Sequence, residues 1–336
     1  MCSSSCWRRS SGRAPGTVEP EVPMTGRGSR IHISRHASEL GAWEMVRAAP
    51  DPRLAPYVRE YCGYTERTPG PMRRREFPSP QVVLILDFGP PIRIVEPNPA
   101  RYPAGFIAGL DDAVTVTETP GASSGVQVNF TPLGARLFFG VPMRVLAHRV
   151  VAIEDVLGLE GPLLTERLHD APGWEARFAL LDAFIAGRLQ VAQEVPGWVT
   201  WAYQRIEASG GALEMRELAD TLGFSHRHVI DRFREHVGLP PKLLARLVRF
   251  DRLMSRVKSG EVPSWGQLAL EYGYYDQAHL IRDFRQFTGS SPREFLQLRL
   301  PDEGGVSGSN SSNTAGRPVR KVPGMTQARV LERESP

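Results

Sequence analysis

Leu218-Ala219-x-x-Leu222-Gly223-Phe224 is followed 50 residues later by Leu268-Ala269-x-x-Tyr272-Gly273-Tyr274, both within Met215–Leu300. Downstream of each glycine the pattern continues with a polar opening and an apolar–basic run. A Phe follows (Phe233, Phe284), then a Gly (Gly238, Gly289), then a Pro (Pro241, Pro292). In the first copy Met215, Leu218, Ala219 and Leu222 share one face at helical period, predicting a helix over Glu214–Leu222. Gly223 can take the left-handed conformation that ends it. Ser225 is the expected N-cap of a second helix, roughly His226–His236, burying Val229, Phe233 and Val237. The second copy predicts helices over Trp265–Tyr272 and Gln277–Phe287. Asp276 is its N-cap, and Leu280, Phe284 and Phe287 face inward. Its turn is one residue longer.

Each copy reads as a helix-turn-helix. One copy alone is a common packing motif; two joined by a basic helix are specific. His226 to Lys258 holds nine Lys/Arg against three Asp/Glu, a surface that a duplex draws in through counterion release. The outward positions are Ser225, His226, Arg227, Ile230, Asp231 and Arg234 in the first copy. In the second they are Gln277, Ala278, His279, Ile281, Arg282 and Arg285. The linking helix, about Pro240–Ser259, places Leu243, Leu247, Phe250, Met254 and Val257 on its apolar stripe. Lys242, Arg246, Arg249, Arg252 and Arg256 fall mostly off it, and some of these cations are expected to meet phosphates.

These residues resemble the AraC/XylS family of bacterial transcription regulators. The match is densest in Gly273-Tyr274-x-Asp276-x-Ala278-His279-Leu280-x-Arg282-x-Phe284-Arg285 and Gly289-x-Ser291-Pro292-x-x-Phe295. The resemblance covers about Gly197–Leu300 and implies a seven-helix, two-subdomain DNA-binding unit. By position it puts Arg227, Ile230 and Asp231, and Gln277, His279 and Arg282, nearest base edges. His226, Arg227, Arg232 and Arg234 are expected to hold the first unit on the backbone, and Arg285 is a further candidate for contact with DNA. Asp231 departs from the family's usual basic or amide residue: it could accept from cytosine N4 but repels phosphate.

The chain has 336 residues, net charge +4 and pI ≈ 9.1, which suggests two domains plus tails. No apolar run approaches the ~18–20 residues of a membrane span. Cys2, Cys6 and Cys62 form no CxxC pair, so a disulfide framework or structural zinc is not expected and a cytoplasmic setting fits.

Residues 1–42 read as a disordered tail rich in Ser, Gly, Arg and Pro, with Met24 or Met45 as alternative starts. Residues 43–149 read as a β-rich sensor domain. A short amphipathic piece is expected within Pro52–Tyr64, with strands at Gln81–Phe88, Gly105–Leu110, Val114–Glu118 and Gly125–Phe130, separated by Pro/Gly clusters. Ala135–Phe139 begins a helix. Met72–Glu76 reads as a solvated loop, and His148 as a lone structural histidine. Residues 150–196 read as a helical connector that either packs on the first domain or supplies a dimer surface. Residues 197–300 form the DNA-binding unit, and 301–336 a disordered tail. Pro52-x-Leu, Gly105-Phe106-Ile107-x-Gly109 and Val128-x-Phe130-x-Pro132-x-Gly134-Ala135-x-x-Phe138 resemble, more weakly, the cupin-like N-terminal domains of one AraC subgroup. The resulting fold class is α+β: a small β-barrel or sandwich, a helical connector, and an all-α double helix-turn-helix domain.

The expected function is sequence-specific DNA binding in transcription regulation, without enzyme activity, cofactor or metal; residues 43–149 hold no His-x-His pair of the kind a cupin metal needs. Double-stranded DNA is the expected partner. The resemblance leaves room for a small-molecule effector, a homodimer and RNA polymerase. Two other readings stand beside it. One is an alkyl-accepting DNA-repair enzyme, which needs a reactive cysteine. The other is a sequence-blind DNA-binding protein.

Overall fold

The computed structural model describes residues 30–38, 41–213, 215–258 and 264–298. The first part of the chain is β-rich and the second all-helical. Strands β1 (Ile31–Ser38) and β2 (Gly41–Ala48) form a hairpin, and a 3-10 turn at Pro52–Leu54 leads into β3 (Val58–Arg67). There follow β4 (Met72–Glu76), β5 (Val82–Asp87), β6 (Arg93–Glu96), β7 (Ala100–Arg101), β8 (Phe106–Ala108), β9 (Thr115–Thr119) and β10 (Ala122–Phe130). Helix α1 (Pro132–Phe139), a 3-10 turn at Met143–Val145 and β11 (Val150–Ala152) complete the β domain. All pairings are antiparallel, in a seven-stranded sheet β1-β2-β3-β10-β5-β8-β11 and a four-stranded sheet β4-β9-β6-β7.

Strand alternation assigns the two faces of the larger sheet. On β10, Val126, Val128 and Phe130 pack toward helices, against Phe138 and the hydrophobic body that includes Phe178. Tyr64, Ile85 and Phe106 on the other face meet Ile94 of the smaller sheet, making a sandwich. Polar groups within the β domain are buried as pairs. The Tyr64 hydroxyl donates to Asp87 at 2.8 Å, Gln127 to Asn129 at 2.8 Å, and Arg74 to Glu66 at 3.0 Å.

Helices α2 (Ile153–Leu157), α3 (Glu160–Asp170) and α4 (Trp174–Gln190) follow. Helix α4 lies across β3: Phe178 stacks on Tyr61 at 5.6 Å, and Asp182 accepts from the Tyr61 hydroxyl at 2.9 Å. Gly63 is required there, because a Cβ would fall 2.2 Å from the Trp174 ring. The helical domain comprises α5 (Gly197–Ala208), α6 (Met215–Leu222), α7 (His226–Val237), α8 (Pro241–Lys258), α9 (Trp265–Glu271), α10 (Gln277–Thr288) and α11 (Pro292–Leu298).

Four expectations are corrected. The stretch expected as tail contains β1, paired with β2 along its whole length. Its side chains are mostly exposed, so a backbone ladder rather than apolar burial holds it, and hydrophobic periodicity gives no signal. Met72–Glu76 is strand β4, not a loop; Glu66 and Glu118 neutralise its Arg74 and Arg73. The connector begins with β11, which closes the sheet edge against β8. His148 is not alone: its Nδ1 lies 2.8 Å from Asp111 and 3.5 Å from Asp112. Most of the N-terminal tail, and all of 301–336, lie outside the described residues.

Candidate nucleic-acid interface

The two expected recognition helices form, each with the expected cap. Ser225 Oγ accepts from the His228 amide at 3.3 Å, and the Asp276 carboxylate from the His279 amide at 2.7 Å. These bonds satisfy helix-end donors that have no partner within the helix. Helix α7 buries Val229, Phe233, His236 and Val237. It leaves His226, Arg227, Asp231 and Arg234 exposed and Ile230 half-buried. Helix α10 buries Leu280, Phe284 and Phe287, leaving Gln277, Arg282 and Arg285 exposed and His279 half-buried. Ile281 is drawn partly inward and packs against the core. Of the twelve outward positions expected from the sequence, nine are exposed, Ile230 and His279 are half-buried, and Ile281 turns toward the core.

Local contacts set the two faces apart. Arg227, with 93% of its side chain exposed, lies 3.7 Å from Asp231 at i,i+4 spacing. Arg232 pairs with Glu235 at 2.8 Å. On the second unit the His279 ring meets Tyr274 edge-on, 5.3 Å between centroids, and its Nδ1 accepts from the Tyr275 amide at 3.4 Å. That longer turn buries Tyr274 beneath the Arg249 guanidinium, 5.2 Å from its ring. In the shorter turn Phe224 stays at the surface between Trp198 and His228.

Three of the five cations singled out on α8, Arg246, Arg249 and Arg252, are engaged within the fold. Arg246 donates to Asp283 at 2.7 Å and to Gln286 Oε1 at 2.7 Å, and lies over Phe287. Arg249 donates to the Gly211 carbonyl at 2.8 Å, and Arg252 covers Tyr272. Arginine packs its planar head on aromatic rings, so these residues join the two helix-turn-helix units as structural pins. The buried stripe runs through Leu244, not Leu243. Asp283, 4% exposed, is the residue sequence reading missed. An acid one turn after His279, on the inner face of an amphipathic helix, was the available signal.

The β domain touches both helix-turn-helix units. Gln286 of α10 donates to Asp112 at 2.8 Å, the Arg75 guanidinium to the Thr288 carbonyl at 3.4 Å, and Phe77 meets Phe295 edge-on at 5.4 Å. At the end of α7, Gly238 adopts φ +100, and a Cβ there would lie 3.3 Å from the Met143 carbonyl. Further back, Arg59 of β3 pairs with Glu207 and donates to the Tyr203 hydroxyl of α5 at 3.3 Å. Burial opposes ionisation of Glu207 and outweighs the Arg59 charge, so its carboxyl sits above the ordinary range. The ligand atoms of Asp111, Asp112 and His148 lie within 4.8 Å of one another beside this boundary.

Residues 218–298 match the family described as "Helix-turn-helix domain", and 46–152 the family described as "Domain of unknown function (DUF6597)". No curated protein sequence matches the chain. Among solved structures it is similar to ToxT from Vibrio cholerae, with 12% identity, 68% of this chain and 97% of that chain covered, and a TM-score of 0.39. It is also similar to unsaturated fatty acid-bound ToxT from the same organism: 10% identity, coverage of 68% and 93%, TM-score 0.38. The AraC-like transcriptional activator CuxR is similar at 14% identity, with coverage of 64% and 81% and a TM-score of 0.26. No helix among the described residues is long and apolar enough to cross a membrane.

Proposed function

We propose that this chain, which carries an AraC-type helix-turn-helix domain, is a sequence-specific transcription regulator whose β domain controls how two readers meet DNA. One observation carries the reading: two N-capped helices of the same design, each with a polar, arginine-bearing outer face, on either side of α8. An 18-residue helix spans about 27 Å, of the same order as the ~34 Å repeat of a duplex. Arg227 and Arg282 suit bidentate contact with guanine, and Gln277 suits adenine. Arg234 and Arg285 suit phosphates, which set register without reading sequence.

The contacts of the β domain with α7, α10 and α11 give an effector a route to the readers. A molecule bound in the β domain acts by favouring one arrangement of those contacts over another. The alkyl-acceptor reading finds no support at Cys62, which is 1% exposed; a buried thiol does not meet alkylated DNA. Cys2 and Cys6 lie outside the described residues.

Selection of bound duplexes from a random pool, at fixed salt, tests the proposal. Two short sequence blocks about one helical turn apart are expected. Enrichment of no sequence over the input pool would leave a sequence-blind binder.

A further inference from the structure

A groove of about 670 Å³ runs along the polar face of α7, and one of its walls comes from the other domain. That wall is Arg144, in the 3-10 turn Met143–Val145. Opposite it stand Arg227, Asp231, Arg232, Arg234 and Glu235. We propose that Arg144 is a phosphate contact of the first reader, so that the DNA-binding surface crosses the domain boundary. This rests on the regulator reading and adds a residue to it.

Charge accounting within the groove supports the assignment. Two arginines have carboxylate partners, Arg227 with Asp231 at 3.7 Å and Arg232 with Glu235 at 2.8 Å. Among the described residues Arg144 and Arg234 have no carboxylate within ion-pair distance. Both are exposed. The groove therefore keeps an excess of positive charge after its internal pairs are formed. Its chemistry fits a polyanion, and its floor is the same helix that carries Arg227 to the outside.

The position of Arg144 is set by backbone packing. Met143 is buried at the end of α7, where Gly238 allows the chain to approach the Met143 carbonyl. The Arg144 stem therefore springs from a point fixed relative to the reader. A cation fixed beside a groove-entering helix loses little freedom on meeting a phosphate. Nothing in residues 140–150 alone signals this role; it comes from the fold bringing that turn to α7.

The test measures binding of the full-length chain to a duplex from the random-pool selection, and to a scrambled duplex, across a salt series. Arg144→Ala is compared with Arg144→Lys and with Arg101→Ala, an exposed arginine on β7. Loss of one phosphate contact is expected to weaken Arg144→Ala on both duplexes by a similar factor and to reduce the salt slope by about 1. Arg144→Lys keeps the slope, and Arg101→Ala matches the parent. Unchanged affinity and slope in Arg144→Ala overturn the proposal. Tighter binding overturns it as well, because the arginine would then hold the reader away from DNA. Should Arg144→Ala fail to fold, Arg144→Gln carries the same comparison. A parent chain that enriches no duplex sinks the regulator reading instead, and the two failures are thereby distinguished.

Discussion

Gln286 is held from both sides: its Nε2 donates to Asp112 at 2.8 Å and its Oε1 accepts from Arg246 at 2.7 Å. A carboxylate only accepts and a guanidinium only donates, so the two partners fix the orientation of the amide. One side chain in α10 thereby joins the β domain to α8.

Gln286→Glu sets a carboxylate against Asp112 while keeping an acceptor for Arg246. Loss of the hydrogen bond and the new like-charge contact should cost about 1 kcal/mol or more. Hydrogen exchange is expected to quicken at 277–288 and at the Asp111–Asp112 turn together. Unchanged exchange in both would show that the bond does not couple the two domains.

Asp283 is 5% exposed at its side chain and pairs with an Arg246 that is 25% exposed. Removing one partner strands the other, which typically costs about 3–5 kcal/mol when both are fully buried. Partial exposure of Arg246 lowers the expectation for Asp283→Ala to about 2–4 kcal/mol. Urea unfolding of the full chain measures it. A loss below about 0.5 kcal/mol would place the pair with ordinary surface contacts.

Arg282 is exposed on α10. Arg282→Ala should relax base preference at one position in one block, at a cost of about 1–3 kcal/mol for a bidentate contact. Arg227→Ala should do the same in the other block. Repeating the duplex selection with each variant checks both. An unchanged block in either case reassigns that helix face.

Burial pushes the Asp87 carboxyl up to about 6, against the opposing hydrogen bonds from Tyr64 and the Ile92 backbone. The ordinary value is 3.8. Above about pH 6 the folded chain therefore holds a buried charge at a cost, and it gains stability as pH falls from about 6 toward 3.8. Asp87→Asn removes that cost. It should exceed the parent by up to about 3 kcal/mol near pH 8, with the advantage shrinking through pH 6 and fading near pH 4. Unfolding free energies at those three values decide it; a pH-independent difference would exclude a titrating Asp87.

The helical half was legible because its information is local. Gly223, Ser225, Gly273 and Asp276 mark helix ends by their own backbone chemistry, and Val229, Phe233, Leu280 and Phe284 mark faces by spacing. The β half was legible in Val82–Asp87 and in the Gly125–Phe130 part of β10, where strands lie buried. It was not legible in Ile31–Ser38 or Met72–Glu76, whose pairing is decided by partners distant in sequence. The same limit governs arginines. Arg227 and Arg246 look alike along the chain; one faces outward and the other is bound to Asp283. Only the fold separates them.

The β domain grips both helix-turn-helix units, through the packing of Met143 on Gly238 at the end of α7 and through Asp112 on Gln286 of α10. Two units clamped to one support cannot separate or pivot without straining a clamp. The separation between the readers is thus partly dictated by a domain that need not touch a base. A molecule that deforms this domain would first change how much spacer the paired helices tolerate between their half-sites. The bases each helix prefers would be unaffected.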